Sequence, residues 1–317
     1  MSVSEKGFIP VMLTPFKEDG SIDFNVLEDL TEFYIKSGAK GLFANCQSSE
    51  MFELSAAERL SLIKHVVDFA KGRVPVVASG NFGDSISEQA DCVKQVYGLG
   101  VQAVILLTNQ LVGEASDEAE LKRNIYELLS LTEGIPVGFY ECPIPYKIIM
   151  PPQLLKELVD TGRVTYHKDT SLDIVQVSEK NRLCASASDF GLYDAYMVHA
   201  VRSLKSGSAG LSCIQGNYFP ELIVWLCENY DSQESQHIVQ QVQQFFIDNM
   251  NVMHKDYPTS VKYYLQKHGF PITAYTRYTH NSHVSGDTKK YMEMLEESYN
   301  ALMRKVHAVS SVSTVGC

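Results

Sequence analysis

Short apolar runs alternate along the chain as far as residue 217 with longer segments in which apolar positions recur every three or four residues. The short runs predict strands over 7–14, 41–45, 74–79, 103–108, 136–140, 164–168, 182–185 and 209–214. The longer segments predict helices over 25–37, 55–71, 85–99, 117–132, 152–160, 172–179 and 189–203. Several helix ends carry their own chemistry. Ser55-Ala56-Ala57-Glu58 is a capping box, in which serine and glutamate satisfy exposed amides at a helix start. Pro152 suits a first turn, and Gly38, Gly72, Gly100, Gly134 and Gly162 stand where helices should stop.

Eight apolar strands, each followed by a helix, imply parallel βα units with the sheet covered on its outer face. Eight such units in about 215 residues predict a closed (β/α)8 TIM barrel over residues 1–217. The absence of Gly-x-Gly-x-x-Gly after the first strand counts against a dinucleotide-binding sheet. Beyond 217 the pattern is helical only, over 218–229, 235–257, 260–268 and 288–307. This predicts a C-terminal helical extension over 218–308, and 309–317 reads as a disordered tail.

Composition narrows the partners. A net charge of −11 and a pI near 5.3 argue against nucleic acid or an anionic membrane surface as the main partner. Seven cysteines are scattered without a Cys-x-x-Cys pair, as expected of reduced thiols. Residues 1–6 lack the apolar stretch of a signal peptide, and no apolar run approaches a membrane span, so a cytoplasmic location is expected.

The most informative residue is Lys168, near the end of Val164-Thr165-Tyr166-His167-Lys168-Asp169. Burial in a strand disfavours a free ammonium. Two readings stand on position alone: a structural ion pair, with Asp169 adjacent, or an amine kept partly neutral as a nucleophile toward carbonyls. Active sites of such barrels lie at the C-terminal ends of the strands. That face would hold Cys46–Glu50, Tyr140–Pro143, Lys168–Thr170, Ala187–Asp189 and Cys213–Asn217. Tyr140 and Lys168 would share one mouth, since adjacent strands lie about 4.8 Å apart. A phenol beside an amine can relay protons during carbinolamine formation and carbon–carbon cleavage.

At this point the chain resembles the pyruvate-dependent class I aldolases that include dihydrodipicolinate synthase and N-acetylneuraminate lyase. The likeness runs from about Gly7 to Val306. It is carried by Gly7-Phe8-Ile9-Pro10-Val11-Met12-Leu13-Thr14-Pro15-Phe16, Asp19-Gly20, Gly41-Leu42-Phe43 with Glu50, Leu54-Ser55-Ala56-Ala57-Glu58-Arg59, Tyr140 with Pro143, Lys168-Asp169-Thr170-Ser171, Gly207-Ser208-Ala209-Gly210 and Asn217. The resemblance implies that Lys168 forms an imine with pyruvate or another 2-oxo acid, that Tyr140 shuttles protons, and that the Gln47-Ser48 loop holds the carboxylate while Ser48 passes protons. It implies no metal and no organic cofactor, a small 2-oxo acid as substrate, and a homo-oligomer, tetramer or dimer.

The chain also departs from that pattern. The family's glycine-threonine-threonine-glycine-glutamate loop reads Cys46-Gln47-Ser48-Ser49-Glu50, and Ser49 in the glycine position is expected to strain any positive φ there. No arginine follows Pro143; Lys147 is the nearest cation. The tyrosine that the synthases lend to a neighbouring subunit has no clear match near Thr108-Asn109-Gln110-Leu111. Ala187 falls where a glycine precedes the strand-seven aspartate, and Ser212 falls where an apolar side chain packs near the imine. The candidate site is therefore Lys168, Tyr140 and Ser48 for catalysis, with Gln47, Ser48, Ser49, Ala187 and Ser212 lining the substrate. The expected function is a carbon–carbon lyase whose second substrate is a polar aldehyde, distinct from dihydrodipicolinate synthase. The alternatives are a dehydratase of a 2-oxo sugar acid through the same imine, and a non-catalytic 2-oxo acid sensor. Glu141 reads as a loop carboxylate tied to backbone amides, and His167 should point out of the barrel if Lys168 points in. His280 and His283 lack a third metal ligand, and Phe245, Phe246, Tyr263 and Tyr264 read as core or subunit interface.

Overall fold

The computed structural model describes residues 6–313, with side chains described as far as residue 306. Eight parallel strands follow one another as β1 (Gly7–Phe8), β2 (Leu42–Phe43), β3 (Val76–Ser79), β4 (Ala103–Leu107), β5 (Val137–Tyr140), β6 (Val164–Asp169), β7 (Gly191–Asp194) and β8 (Gly210–Leu211). From β2 to β8 each pairs in parallel with the next, and β8 pairs with β1. Between β1 and β2 the wall is closed by single bonds: Phe43 N donates to Pro10 O and Met12 N to Phe43 O, both at 3.0 Å. The chain is thus a closed (β/α)8 barrel. The outer strands are shorter than the apolar runs predicted, in part because Pro10 interrupts the first run and has no amide to donate.

Successive side chains alternate between the barrel interior and the shell of helices. Ile9, Val11, Phe43, Val77, Ile105, Leu107, Tyr140, Tyr166 and Tyr193 form one buried cluster inside the barrel. Phe8, Leu42, Ala78, Val104, Leu106, Phe139 and Leu192 face outward into a second, larger core with the helices. The covering helices are α1 (Phe24–Lys36), α2 (Ala56–Ala70), α3 (Ile86–Tyr97), the short α4 (Thr108–Leu111), α5 (Glu118–Leu131), α6 (Pro152–Val159), α7 (Ile174–Cys184) and α8 (Ala200–Lys205). The expected box at Ser55 and Glu58 starts α2, and Ser85 with Glu88 forms another at α3.

Strand seven is a correction. The apolar run 182–185 lies in the last turn of α7 and the turn after it, and β7 is Gly191–Asp194, inside the stretch expected to be helix over 189–203. The reason is physical. The face that α7 buries is Val177, Lys180, Asn181 and Cys184, and two of these four are polar, so hydrophobic periodicity hides the second half of the helix expected over 172–179. Asn181 donates to the hydroxyls of Ser206 and Ser208, both at 2.9 Å, and Lys180 enters an ion cluster described below. The strand itself offers only Leu192 and Tyr193 as apolar signal between Gly191 and Asp194.

The extension consists of α9 (Pro220–Asn229), α10 (Gln236–Asp248), α11 (Met250–His254), α12 (Thr259–Lys267) and α13 (Gly286–Ser313). Phe245, Phe246 and Tyr264 are buried in the outer core, and the Phe219 ring stacks on Tyr299 at 4.2 Å. The helix expected over 235–257 breaks at Asn249, whose side chain donates to Phe245 O at 2.8 Å. Helix α13 continues to Ser313, into the stretch expected to be a disordered tail, and residues 314–317 lie outside the described residues. No helix among the described residues is long and apolar enough to cross a membrane.

Candidate active site

Lys168 stands on β6 beside Tyr140 on β5 and Tyr193 on β7, at the C-terminal end of the barrel. Its side chain points inward and is 4% exposed. The ammonium nitrogen lies 4.2 Å from the centre of the Tyr140 ring and 5.7 Å from that of Phe43. Among the described residues Lys168 makes no ion pair: Asp169, the adjacent residue on the strand, faces the other way and bonds Lys180. Burial lowers the pKa of Lys168 below the ordinary 10.5, opposed only by the thiols of Cys46, Cys142 and Cys213. An amine so placed has a larger neutral, nucleophilic fraction near pH 7 than a surface lysine has.

Tyr140 is 3% exposed. Burial pushes its hydroxyl well above its usual range, helped by Cys142, Cys46 and Tyr257, so it stays a neutral phenol. Below it, Tyr166 stacks on Tyr193 at 4.9 Å and donates to Ser212 Oγ at 3.2 Å. Ser212 is buried just past the end of β8, with its amide bonded to Asp194 O. Tyr140, Tyr166 and Tyr193 belong to the buried cluster inside the barrel.

The loop after β2 forms a turn of 3-10 helix over Gln47–Ser49. Ser48 is buried, and its hydroxyl shares a hydrogen bond with Tyr257. Gln47 is partly buried, with Oε1 accepting from Cys142 Sγ at 3.2 Å. Ser49 turns into the barrel wall, donating to Met12 O at 2.7 Å and accepting from Cys46 N at 3.1 Å. Its backbone carries no strain: the left-handed residue is Glu50, at φ 57°. Glu50 is held there from the extension, accepting from Lys262 Nζ and from Arg277 N, both at 2.6 Å. Ala187 does not join the others. It sits in the turn between α7 and β7, at the strand end away from Lys168, with its carbonyl accepting from Phe190 N. Its candidacy followed from the misplaced strand and is corrected with it.

Lys147 reaches the rim, where Nζ donates to Thr170 O at 2.6 Å. Asn109, on α4, donates to the carbonyls of Cys142, Ile144 and Tyr146 at 2.7–2.8 Å and so shapes the loop after β5.

Behind β5 and β6, on the outer face, lies a cluster absent from the sequence reading. Lys180 Nζ of α7 bonds Glu141 Oε1 at 2.5 Å and Asp169 Oδ2 at 2.6 Å, with His167 Nε2 at 3.5 Å, and all four side chains are fully buried. Glu141 also accepts from the amides of Thr170 at 2.8 Å and Met150 at 3.0 Å. Burial disfavours the Lys180 charge, but Glu141 and Asp169 outweigh it and raise its pKa. Asp169 is held below the ordinary carboxylate range by His167 and Lys180 despite its burial. Glu141, His167 and Asp169 are grouped closely enough to ligate a cation, and the Lys180 ammonium already bonds both carboxylates there.

Tyr257, which no strand-end pattern in the sequence marks, joins the site from the extension. It precedes α12 in the extension, yet its hydroxyl enters the mouth, where it accepts from Asn217 Nδ2 at 2.6 Å.

With this geometry in view, sequence comparison is decisive: residues 4–298 match the model of the dihydrodipicolinate synthetase family. The chain belongs to that family. It is 27% identical over 222 residues to the 4-hydroxy-tetrahydrodipicolinate synthase of Shewanella piezotolerans, covering 70% of this chain and 74% of the relative. The corresponding protein of Shewanella baltica is 28% identical over the same length and coverage. Among solved structures, a monomeric dihydrodipicolinate synthase variant superimposes with a TM-score of 0.83 at 21% identity, covering 94% of this chain and 98% of that one. A prophage protein of the same family from E. coli K12, solved with pyruvate, gives 0.78 at 21% identity, with 94% and 98% covered. At that identity the structural likeness speaks for the fold.

Proposed function

We propose that this chain is a Schiff-base-forming lyase or aldolase that cleaves or condenses a 2-oxo acid through an imine on Lys168. The observation that carries this reading is Lys168 itself: buried, without an ion pair, pKa lowered, and stacked against a neutral tyrosine at the mouth of the barrel. The neutral amine would add to the keto carbon of pyruvate, and loss of water would leave an iminium that draws electrons from C3. Tyr140 would carry protons to and from the oxygen of the second substrate. The amides of the turn at Gln47–Ser49 are suited to a carboxylate. This chemistry draws on the chain's own residues and needs neither metal nor organic cofactor.

The second substrate is proposed to be a polar aldehyde rather than that of the synthases in the family. No arginine stands after Pro143, and Lys147 at the rim is a point charge already committed to Thr170 O. A homo-oligomer, dimer or tetramer, remains part of the proposal. The test is turnover across a panel: pyruvate release from sugar-derived 2-oxo acids, pyruvate consumption with polar aldehydes, and water loss from 2-oxo sugar acids. Release or consumption supports the lyase, water loss alone supports the dehydratase reading, and imine formation without any turnover supports a sensor. A panel optimum at the synthases' own aldehyde would contradict the proposed substrate class.

A further inference from the structure

Resting on the imine reading above, we propose that Cys142 is a positioning residue for Tyr140: its thiol holds the phenol oxygen at the mouth and partners it both before and after the phenol gives up its proton. Cys142 lies two residues beyond the start of that pair, fully buried, where β5 turns into the following loop. Its amide donates to Tyr140 O at 2.9 Å, its carbonyl accepts from Asn109 Nδ2 at 2.8 Å, and its Sγ donates to Gln47 Oε1 at 3.2 Å. Ile144 O stands 3.5 Å from the same sulfur. The Gln47 and Ile144 oxygens are carbonyls and can only accept, so the thiol's single hydrogen is spent on that side. The sulfur lone pairs are left for the Tyr140 hydroxyl, which bonds Cys142.

This arrangement is not a proton relay. An amide oxygen accepts a hydrogen bond but holds no proton near neutral pH, so the series from Tyr140 through Cys142 ends at Gln47. Burial raises the Cys142 thiol above its ordinary range, despite Lys168 and Tyr140 beside it, so the sulfur keeps its hydrogen. That hydrogen has a use. When the C2–C3 double-bond pair of the enamine attacks the aldehyde carbon, the nitrogen pair re-forms the iminium. The aldehyde's carbonyl pair moves onto its oxygen, and that oxygen takes the Tyr140 proton. A phenolate is left where burial disfavours one. The S–H bond then turns from Gln47 Oε1 to the phenolate oxygen, which the sulfur already neighbours, and a hydrogen bond to an anion is stronger than the one given up. When Tyr140 regains a proton from solvent, the S–H bond returns to Gln47.

The experiment uses the full chain with pyruvate and glyceraldehyde, reading pyruvate consumption, alongside borohydride trapping of the pyruvate imine. Cys142→Ala removes the sulfur and leaves the backbone bonds of the loop. It should trap as wild type does and keep KM for pyruvate within about twofold, while kcat falls about tenfold through loss of one hydrogen bond to an anion. Cys142→Ser, whose hydroxyl accepts and donates as the thiol does, should recover most of the rate. In a Tyr140→Phe background Cys142→Ala should cost nothing further, because the thiol acts only through the phenol. A kcat in Cys142→Ala within about twofold of wild type, an equal loss in Cys142→Ser, or a loss that persists beside Tyr140→Phe would overturn the proposal. Failure of Cys142→Ala to trap would overturn it too, by assigning the thiol to the fold. Absence of trapping in the wild-type protein would sink the imine reading itself, and trapping without glyceraldehyde turnover would sink the aldehyde reading and this proposal with it.

Discussion

Two buried lysines stand on opposite faces of the same wall. Lys168, inside the barrel, meets aromatic rings and thiols and no carboxylate, and its pKa falls. Lys180, outside it, meets Glu141 and Asp169, and its pKa rises. Burial is nearly the same, so the partners decide the chemistry. One amine is the proposed nucleophile toward a carbonyl, and the other is a paired cation that ties α7 to the ends of β5 and β6. The two are mechanically linked. Glu141 follows Tyr140, Asp169 follows Lys168, and the Lys180 ammonium bridges the pair on the outer face.

The largest expected contrast comes from removing each amine. Lys168→Met should lower turnover on the order of 10^4-fold or more while leaving the protein as stable or about 1 kcal/mol more stable, since a desolvated amine is gone. Lys180→Met should do the reverse in kind, destabilising the fold by about 3–5 kcal/mol by leaving two buried carboxylates unpaired. Paired urea denaturation and steady-state assays read both, and equal stability losses in the two variants would break the comparison. Next in size, Tyr140→Phe should slow turnover about 10^2-fold or more while borohydride trapping persists, because the imine forms on Lys168 and the phenol moves protons afterwards.

The pH dependences have opposite origins. Lys168 has a folded pKa below 10.5, so its charged form costs stability at neutral pH, and that cost disappears as pH rises from the folded value toward 10.5. Lys180 has a folded pKa above 10.5, so its contribution is full below 10.5 and is lost as pH climbs through the folded value. The stability gap between Lys168→Met and wild type should therefore close on approaching pH 10.5, whereas that of Lys180→Met should begin to close only above it. Denaturation curves across that range distinguish the two. The smallest effect belongs to a partly exposed pair. Arg277 holds Glu58 down to about 2, and Glu58→Gln should cost no more than about 1 kcal/mol, a cost fading as pH falls from 4.5 toward 2. A larger loss there would mean that the contact between extension and barrel relies on surface charge more than the buried Lys262–Glu50 bond implies.

The same contrast explains what was legible in the chain. Positions with apolar neighbours announced themselves. Tyr140 and Lys168 end strands whose alternation is plain, and seven of the eight strands lie within the expected runs or one residue beyond them. The polar outer face was hidden. Lys180 and Asn181 occupy the buried face of α7, so the last turn of that helix reads as a strand and Ala187 is drawn into the site from the wrong end of β7. Glu50 takes the left-handed turn expected one residue earlier, because Lys262 and Arg277, more than two hundred residues away, hold its carboxylate. Tyr257 was invisible for a similar reason, since its approach to Ser48 depends on how the extension folds back over the mouth.

Lys168 and Lys180 differ most in whether a carbonyl can reach a neutral amine. Incubation with pyruvate, reduction by borohydride and peptide mapping by mass spectrometry test it in one step. The expected result is a single adduct on Lys168, absent from Lys168→Met, with Lys180 unmodified. No adduct, or one that persists in Lys168→Met, would contradict it.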